Sequence, residues 1–136
     1  MKTVKTDDFF VLPEVNMYRE NVLQPNEIVT KILIPNQPEG AVHFFYKVRQ
    51  RQSWDFAVAS IAAVIQKTNS KIQNARFVLG GVAPIPWRIP KAEEAARGST
   101  INDAAAKEVG TKALIGAEPL QHNGYKFDLV RNLFRM

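Results

Sequence analysis

Arg76-Phe77-Val78-Leu79-Gly80-Gly81-Val82-Ala83-Pro84-Ile85-Pro86-Trp87-Arg88 is the stretch at which this chain changes texture. It reads as an apolar strand that stops at a glycine pair and leaves through two prolines. Adjacent glycines admit backbone angles, or a close approach, that a Cβ forbids. Pro84 and Pro86 have no N–H for a sheet ladder and push the residues before them out of the helical region. The stretch is therefore a strand-to-helix exit. It is not a phosphate cradle, because a dinucleotide fingerprint needs Gly-x-Gly-x-x-Gly opening a helix and a P-loop needs Lys-Ser/Thr after its glycines.

Upstream of it lie strands. Ile72 to Leu79 finds a partner in Ala57 to Gln66, across the polar reverse turn Lys67-Thr68-Asn69-Ser70-Lys71. The alanines of Ala57 to Gln66 favour helix, and the positions of Val58, Ile61, Val64 and Ile65 do not settle the period. The reverse turn and the partner decide for a strand. Val42 to Arg49 is aromatic and β-branched and gives another strand. Glu27 to Ile34 alternates, with Ile28, Thr30, Ile32 and Ile34 on one side, and Pro35 ends it, which predicts a first strand. Asn36-Gln37-Pro38-Glu39-Gly40 between the two is turn chemistry. Residues 1–25 carry no sustained period and read as a connecting segment.

Downstream lie helices. Pro90 suits a first helical turn, and Gly98 suits the end of Lys91 to Arg97. Asn102 caps a helix through Ala104, Val109 and Leu114 that Gly116 closes. Gly110 inside it costs about 1 kcal/mol against alanine and implies close packing or a bend. After Pro119, Asn123 starts a last helix with Tyr125, Leu129, Leu133 and Phe134 on its apolar face. Strands first and helices afterwards make an α+β fold: an antiparallel sheet of about four strands with about three helices packed on one face, a two-layer sandwich.

No catalytic constellation stands out. His43 falls in a strand and His122 in a loop, neither with a metal-ligand partner at a sensible spacing, so no metal site is expected. Ser53 and Ser60 lack a His and acid arrangement. Asp55 suits a cap on the turn into the next element, and Glu93 and Glu94 read as a solvated helix face. Zero cysteines exclude disulfides and thiolate-held zinc or iron–sulfur clusters within these residues. The net charge of +5 is spread along the chain, with one cluster, Lys47, Arg49 and Arg51, alternating as if along a strand face. That cluster reads equally as a solvated strand edge or an anion-facing lip. No apolar run approaches the ~20 residues of a membrane span, and the first eight residues hold no apolar signal core.

Three segments in order carry a resemblance. They are Glu27-Ile28-Val29-Thr30-Lys31-Ile32-Leu33-Ile34-Pro35, then Phe45-Tyr46-Lys47-Val48-Arg49-Gln50-Arg51-Gln52-Ser53-Trp54-Asp55-Phe56-Ala57-Val58-Ala59-Ser60, then the Gly80-Gly81-Val82-Ala83-Pro84 run. From about Asp8 onward the chain resembles the C-terminal domain of the FAD-binding (medium) subunit of molybdenum hydroxylases, the xanthine dehydrogenase, aldehyde oxidoreductase and carbon monoxide dehydrogenase group. The resemblance implies a division in which residues 1–25 are the crossover from a missing FAD-binding half and residues 26–136 are the C-terminal domain. It implies FAD as a cofactor shared with that half rather than bound by these residues alone. Among the site residues, it places Val29 and Lys47 beside the flavin and Arg49 to Asp55 in a loop next to it, with Trp54 at that loop's end. The implied partners are the FAD-binding half, a molybdenum-cofactor subunit and an iron–sulfur subunit, with no nucleic acid and no membrane. The implied compartment is the cytoplasm, or the periplasm for a complex exported on a partner's signal.

Two other classes compete. One is a stand-alone protein-interaction domain of the same fold with no cofactor of its own. The other is a nucleic-acid binder, suggested by a pI near 9.6 and the Phe44, Phe45, Tyr46 cluster. It lacks a concentrated basic face and an RNA-binding aromatic-glycine signature.

Overall fold

Two long strands, β2 (Ala59–Thr68) and β3 (Lys71–Gly80), form the centre of the molecule in a computed structural model that describes residues 2–136. Asn69, at φ 55°, makes the turn between them, a left-handed conformation that asparagine tolerates. β1 (Val42–Val48) pairs antiparallel with β2, and the two-residue β4 (Trp87–Arg88) pairs antiparallel with β3. The sheet order is β1-β2-β3-β4. Three helices follow: α1 (Pro90–Ala96), α2 (Asp103–Lys112) and α3 (Tyr125–Leu133). The expected α+β architecture is the one observed.

Register sorts the side chains into two faces. Tyr46 pairs with Ile61 and Ile61 with Leu79; Phe44 pairs with Ala63 and Ala63 with Phe77. Because neighbours along a strand point to opposite faces, these residues share one face, and it is the one the helices cover. Ile61, Ala63, Ala75, Phe77 and Leu79 are buried there with Ala92, Ala96, Val109, Val130 and Leu133. Phe77 meets Phe134 edge to face at 5.1 Å. Alanines on both layers let helix and sheet backbones approach closely. Gly110 carries this furthest: a Cβ there would lie 2.7 Å from the Arg131 carbonyl oxygen. The close packing expected at this glycine is the α2–α3 contact.

Some helix signals read from sequence hold, but α2 ends at Lys112, before Leu114 and Gly116, and Asn123 does not cap α3: its Oδ1 accepts from the Leu120 N–H behind it at 2.6 Å. Asn102 Oδ1 accepts from the Ala105 N–H at 2.8 Å, capping α2. Gly98 and Gly116 sit at φ 78° and 85° behind α1 and the turn after α2. On α3, Leu129, Leu133 and Phe134 pack inward, but Tyr125 is exposed and Val130 takes the fourth apolar place.

Two expectations are corrected. Glu27 to Ile34 forms no strand; it runs extended and unpaired, with Ile28, Val29, Ile32, Leu33 and Ile34 exposed. Alternation specifies a face but not a pairing, and the fourth strand is supplied by Trp87–Arg88, beside β3 at the other end of the sheet. Glu93 is not on a solvated face. It is 8% exposed, and its carboxylate accepts from the Phe77 N–H at 3.1 Å and from Arg88 Nε at 3.0 Å and Nη2 at 2.8 Å. Burial pushes this carboxyl up. The hydrogen bonds from Arg88 and the Phe77 N–H, with the charges of Arg88 and Arg76, outweigh burial and hold it below its ordinary value.

Candidate functional site

The helices leave the other sheet face open. Phe45 pairs with Ala62 and Ala62 with Val78; Lys47 pairs with Ser60 and Ser60 with Gly80. By parity these six residues share the uncovered face. Ala62 is exposed, Val78 half-buried and Phe45 67% exposed. A shallow cavity of about 350 Å³ opens here, floored by Ser60, Ala62 and Val78 and walled by Gly80, Gly81 and the Pro84–Pro86 exit. Small side chains make the floor low, and the rigid proline segment makes the wall.

The glycine pair sets how close this wall stands. A Cβ on Gly80 would lie 2.6 Å from Ser60 Oγ. Gly81 is at φ 72°, and a Cβ there would lie 2.8 Å from the Ala57 carbonyl oxygen. Both glycines therefore press the end of β3 onto the start of β2. The structural role read from sequence for the pair is the observed one, and the mechanism is close backbone approach combined, at Gly81, with a left-handed angle.

Lys47 stands at the edge of this face, half-buried at the end of β1. Its Nζ donates to the Asp55 carbonyl oxygen at 3.0 Å. Asp55 Oδ2 in turn accepts from the Arg51 N–H at 2.9 Å. Asp55 thus closes the loop behind it instead of capping the element ahead. Lys47 ties that loop, 49–56, to the sheet. The loop carries Trp54 and Phe56, and Trp54 is 99% exposed at φ 47°. A left-handed tryptophan is a backbone outlier that costs of order 1–3 kcal/mol. Arg49 and Arg51 lie beyond the end of β1, so the alternation of Lys47, Arg49 and Arg51 does not make one strand face.

Of the residues singled out from sequence, Lys47 and Trp54 are brought into one neighbourhood through Asp55. Val29 is on the unpaired 27–34 segment and is half exposed. Sequence reading missed the floor, Ser60 and Ala62. Their signal was the period of two along β2, with small residues on one parity and Ile61 and Ala63 on the other. No three His, Cys, Asp or Glu side chains converge among the described residues. Among the described residues no helix is long and apolar enough to cross a membrane.

The floor of this face is apolar and low. Two ammonium groups stand at its margins: Lys47 on the Asp55 carbonyl oxygen, and Lys126, whose Nζ donates to the Gly81 carbonyl oxygen at 2.6 Å.

Comparison with known proteins adds the family. The profile described as CO dehydrogenase flavoprotein C-terminal domain matches residues 44–136. The nicotine 6-hydroxylase medium subunit of Paenarthrobacter nicotinovorans is 31% identical, covering 98% of this chain and 46% of the relative. The aldehyde oxidoreductase FAD-binding subunit of Escherichia coli is 33% identical, covering 96% of this chain and 37% of the relative. The chain thus spans less than half the length of these curated relatives. Among solved structures, carbon monoxide dehydrogenase from Hydrogenophaga pseudoflava superposes with a TM-score of 0.67 at 24% identity, over 75% of this chain and 37% of that one. Quinoline 2-oxidoreductase from Pseudomonas putida 86 gives a TM-score of 0.65 at 20% identity, over 71% and 35%. At these identities the structures establish the shared fold.

Proposed function

This chain belongs to the CO dehydrogenase flavoprotein C-terminal domain family, and from that premise we propose that it serves as the C-terminal domain of a molybdenum-hydroxylase flavoprotein subunit. In that role it covers the FAD and supports electron transfer from iron–sulfur clusters through FAD to an acceptor. FAD supplies the redox chemistry when bound in the complete subunit. The residues described here wall its site, exclude water and fix charge nearby. The chain is part of an oxidoreductase and does not perform the redox step alone.

The observation that carries this reading is the mismatch between the two sheet faces. One is covered by helices over β2 and β3. The other is a low shelf of Ala62, Val78 and Gly80, edged by Phe45 and by the Lys47-anchored loop. The shelf suits a planar ring. The missing phosphate cradle suits a cofactor whose pyrophosphate is held by a separate half. Lys47 and Trp54 would stand near the flavin at the loop, with Val29 a further flavin neighbour from the segment before β1. The partners in this reading are the FAD-binding half and the molybdenum-cofactor and iron–sulfur subunits.

An FAD titration of the 136-residue chain, followed by flavin fluorescence and repeated with an FAD-binding half added, tests the proposal. Binding only after addition supports it. Tight binding to the chain alone overturns the division of the site. No binding in either case favours a stand-alone interaction domain without a cofactor.

A further inference from the structure

β1 is an edge strand: β2 pairs with one side of it and nothing pairs with the other. Its sequence, Val42-His43-Phe44-Phe45-Tyr46-Lys47-Val48, has no proline, no acidic residue and no break in its register, so it lacks most of the devices that keep edges apart. Its one lysine is engaged by the Asp55 carbonyl oxygen at 3.0 Å. The aromatic residues stay open to water. Phe45 is 67% exposed, and Phe44 and Tyr46, stacked in parallel at 6.4 Å, are each more than a third exposed.

The order of these residues is close to a palindrome about Phe45. Tyr46 answers Phe44, Lys47 answers His43 and Val48 answers Val42. From either end the strand reads apolar, basic, aromatic, aromatic, aromatic, basic, apolar. An isologous contact needs this property, because a residue i that meets j requires j to meet i. Within one chain the symmetry is unused, since β1 meets the unsymmetric Ala59–Ile65 stretch of β2.

We propose that β1 pairs with β1 of a second copy of this chain, antiparallel about a two-fold axis at Phe45 normal to the sheet. Directly opposite residues in an antiparallel pair share a face, so this axis keeps the helix-covered faces of both copies on one side. It must then fall on a residue and not between two, and only Phe45 leaves all seven residues of β1 paired. On the covered face Phe44 meets Tyr46 of the second copy, giving an aromatic cross-strand pair on each side of the axis. Phe44 also lines an apolar cavity of about 270 Å³ with Val42, Ile65 and Val109, and the pairing adds aromatic surface at that margin. On the open face the two Phe45 side chains meet at the axis. The row Val78, Ala62, Phe45 then continues into Phe45, Ala62 and Val78 of the second copy, and the two four-stranded sheets become one. This pairing goes beyond the flavin reading and does not rest on it.

The cysteine-free sequence allows a direct trap. A residue at the axis faces its own counterpart, so Phe45→Cys should form an intermolecular disulfide in a glutathione redox buffer. Val42→Cys is also exposed on this edge, but lies ~20 Å from its counterpart along the paired strands, at about 3.4 Å per residue. It should cross-link at least about tenfold more slowly. Equal rates, or no disulfide from Phe45→Cys, would overturn the proposal. Sedimentation equilibrium gives a second reading without cysteines. A single strand pair makes a small interface, so the parent chain should dimerise with a dissociation constant between about 10 μM and 1 mM. Phe45→Lys sets two ammonium groups against each other at the axis and should weaken the dimer at least about fivefold. His43→Glu sets a carboxylate opposite Lys47 of the second copy at two symmetric places and should tighten it about 2- to 30-fold. A parent chain that stays monomeric to about 1 mM, or a dimer that neither substitution moves, would overturn the pairing. No flavin enters either measurement, so both can fail while the FAD titration succeeds.

Discussion

Replacing Glu93 with alanine should remove the clamp that stands in for a missing stretch of β4. The ladder between β3 and β4 covers only Val78 and Leu79. Phe77, next along β3 and 4% exposed, gives its N–H to Glu93 Oε1 instead of to a strand. Truncation leaves that N–H buried and unpaired, at about 1–3 kcal/mol. The lost pairing with Arg88, whose side chain is partly exposed, adds ~0.5–1 kcal/mol after solvent screening. The sum is roughly 1.5–4 kcal/mol, which for a domain of this size lowers Tm by on the order of 10 °C. Glu93→Gln keeps its one acceptor oxygen for the Phe77 N–H but turns an amide N–H2 toward Arg88 Nη2, so its cost should be about 1–2 kcal/mol, below that of alanine. Urea unfolding followed by circular dichroism reads both, with an unchanged m-value confirming that stability alone moved. A Glu93→Ala chain within ~0.5 kcal/mol of the parent, the ordinary range of a surface substitution, would refute the clamp. The pH dependence gives an independent check. Because the folded carboxyl is held below its ordinary 4.5, its charge stabilises the fold above that value, and the contribution is lost as pH falls through the folded pKa. The stability gap between parent and Glu93→Gln should be flat above about pH 5 and close below it.

Gly81→Ala combines a φ of 72° with a Cβ 2.8 Å from the Ala57 carbonyl oxygen and should cost more than ~2 kcal/mol in the same unfolding assay. Gly40→Ala, at φ 74° in open space, should cost only about 1 kcal/mol, and equal effects would show that the close approach is irrelevant. Ala62→Asp and Ala63→Asp are neighbours on opposite faces. The first should leave the chain's stability within ~0.5 kcal/mol, while the second, buried against the helices, should unfold it, with circular dichroism as the readout. Lys47→Ala in a complete flavoprotein subunit should lower the bound flavin content or slow flavin reoxidation, and unchanged values of both would remove Lys47 from the site.

The legible part of this fold is the part written in local chemistry. Asn102 and Gly98 mark helix ends because caps and left-handed angles are decided within a few residues. The β2–β3 hairpin was readable because its turn and both strands lie together. What sequence did not yield depends on distant partners. Glu93 looks like any carboxylate on a short helix until β4 stops early and leaves Phe77 in need of an acceptor. Glu27–Ile34 alternates as a strand does, yet alternation specifies a face and says nothing about whether an edge is available. At the candidate site the glycine pair was legible as backbone geometry, since no side chain competes for that role. Its consequence, the low shelf beside Ser60 and Ala62, was not, because it arises only when β2 and β3 are in register.

Register also explains why stability and the proposed function can be separated in so small a domain. Along β2 the odd positions 59, 61 and 63 are buried among the helices, while Ala62 on the even parity faces the open side. A helix-covered face gains from large apolar groups, and Phe77, Leu79 and Ile61 occupy it. An open face made of the same kind of residue would expose a sticky patch in isolation. Ala62, Ser60 and Gly80 avoid that while leaving room for a flat body supplied from outside. The cost of the arrangement falls at the margins, where the shelf must be edged by something larger. Phe45, held in the β1 ladder, and the strained Trp54, on the loop that Lys47 and the Arg51 N–H both tie to Asp55, meet that need on one side. The β2–β3 floor is set by register and the edge beside it by a short loop, so substitutions in the two should separate stability from anything the open face does.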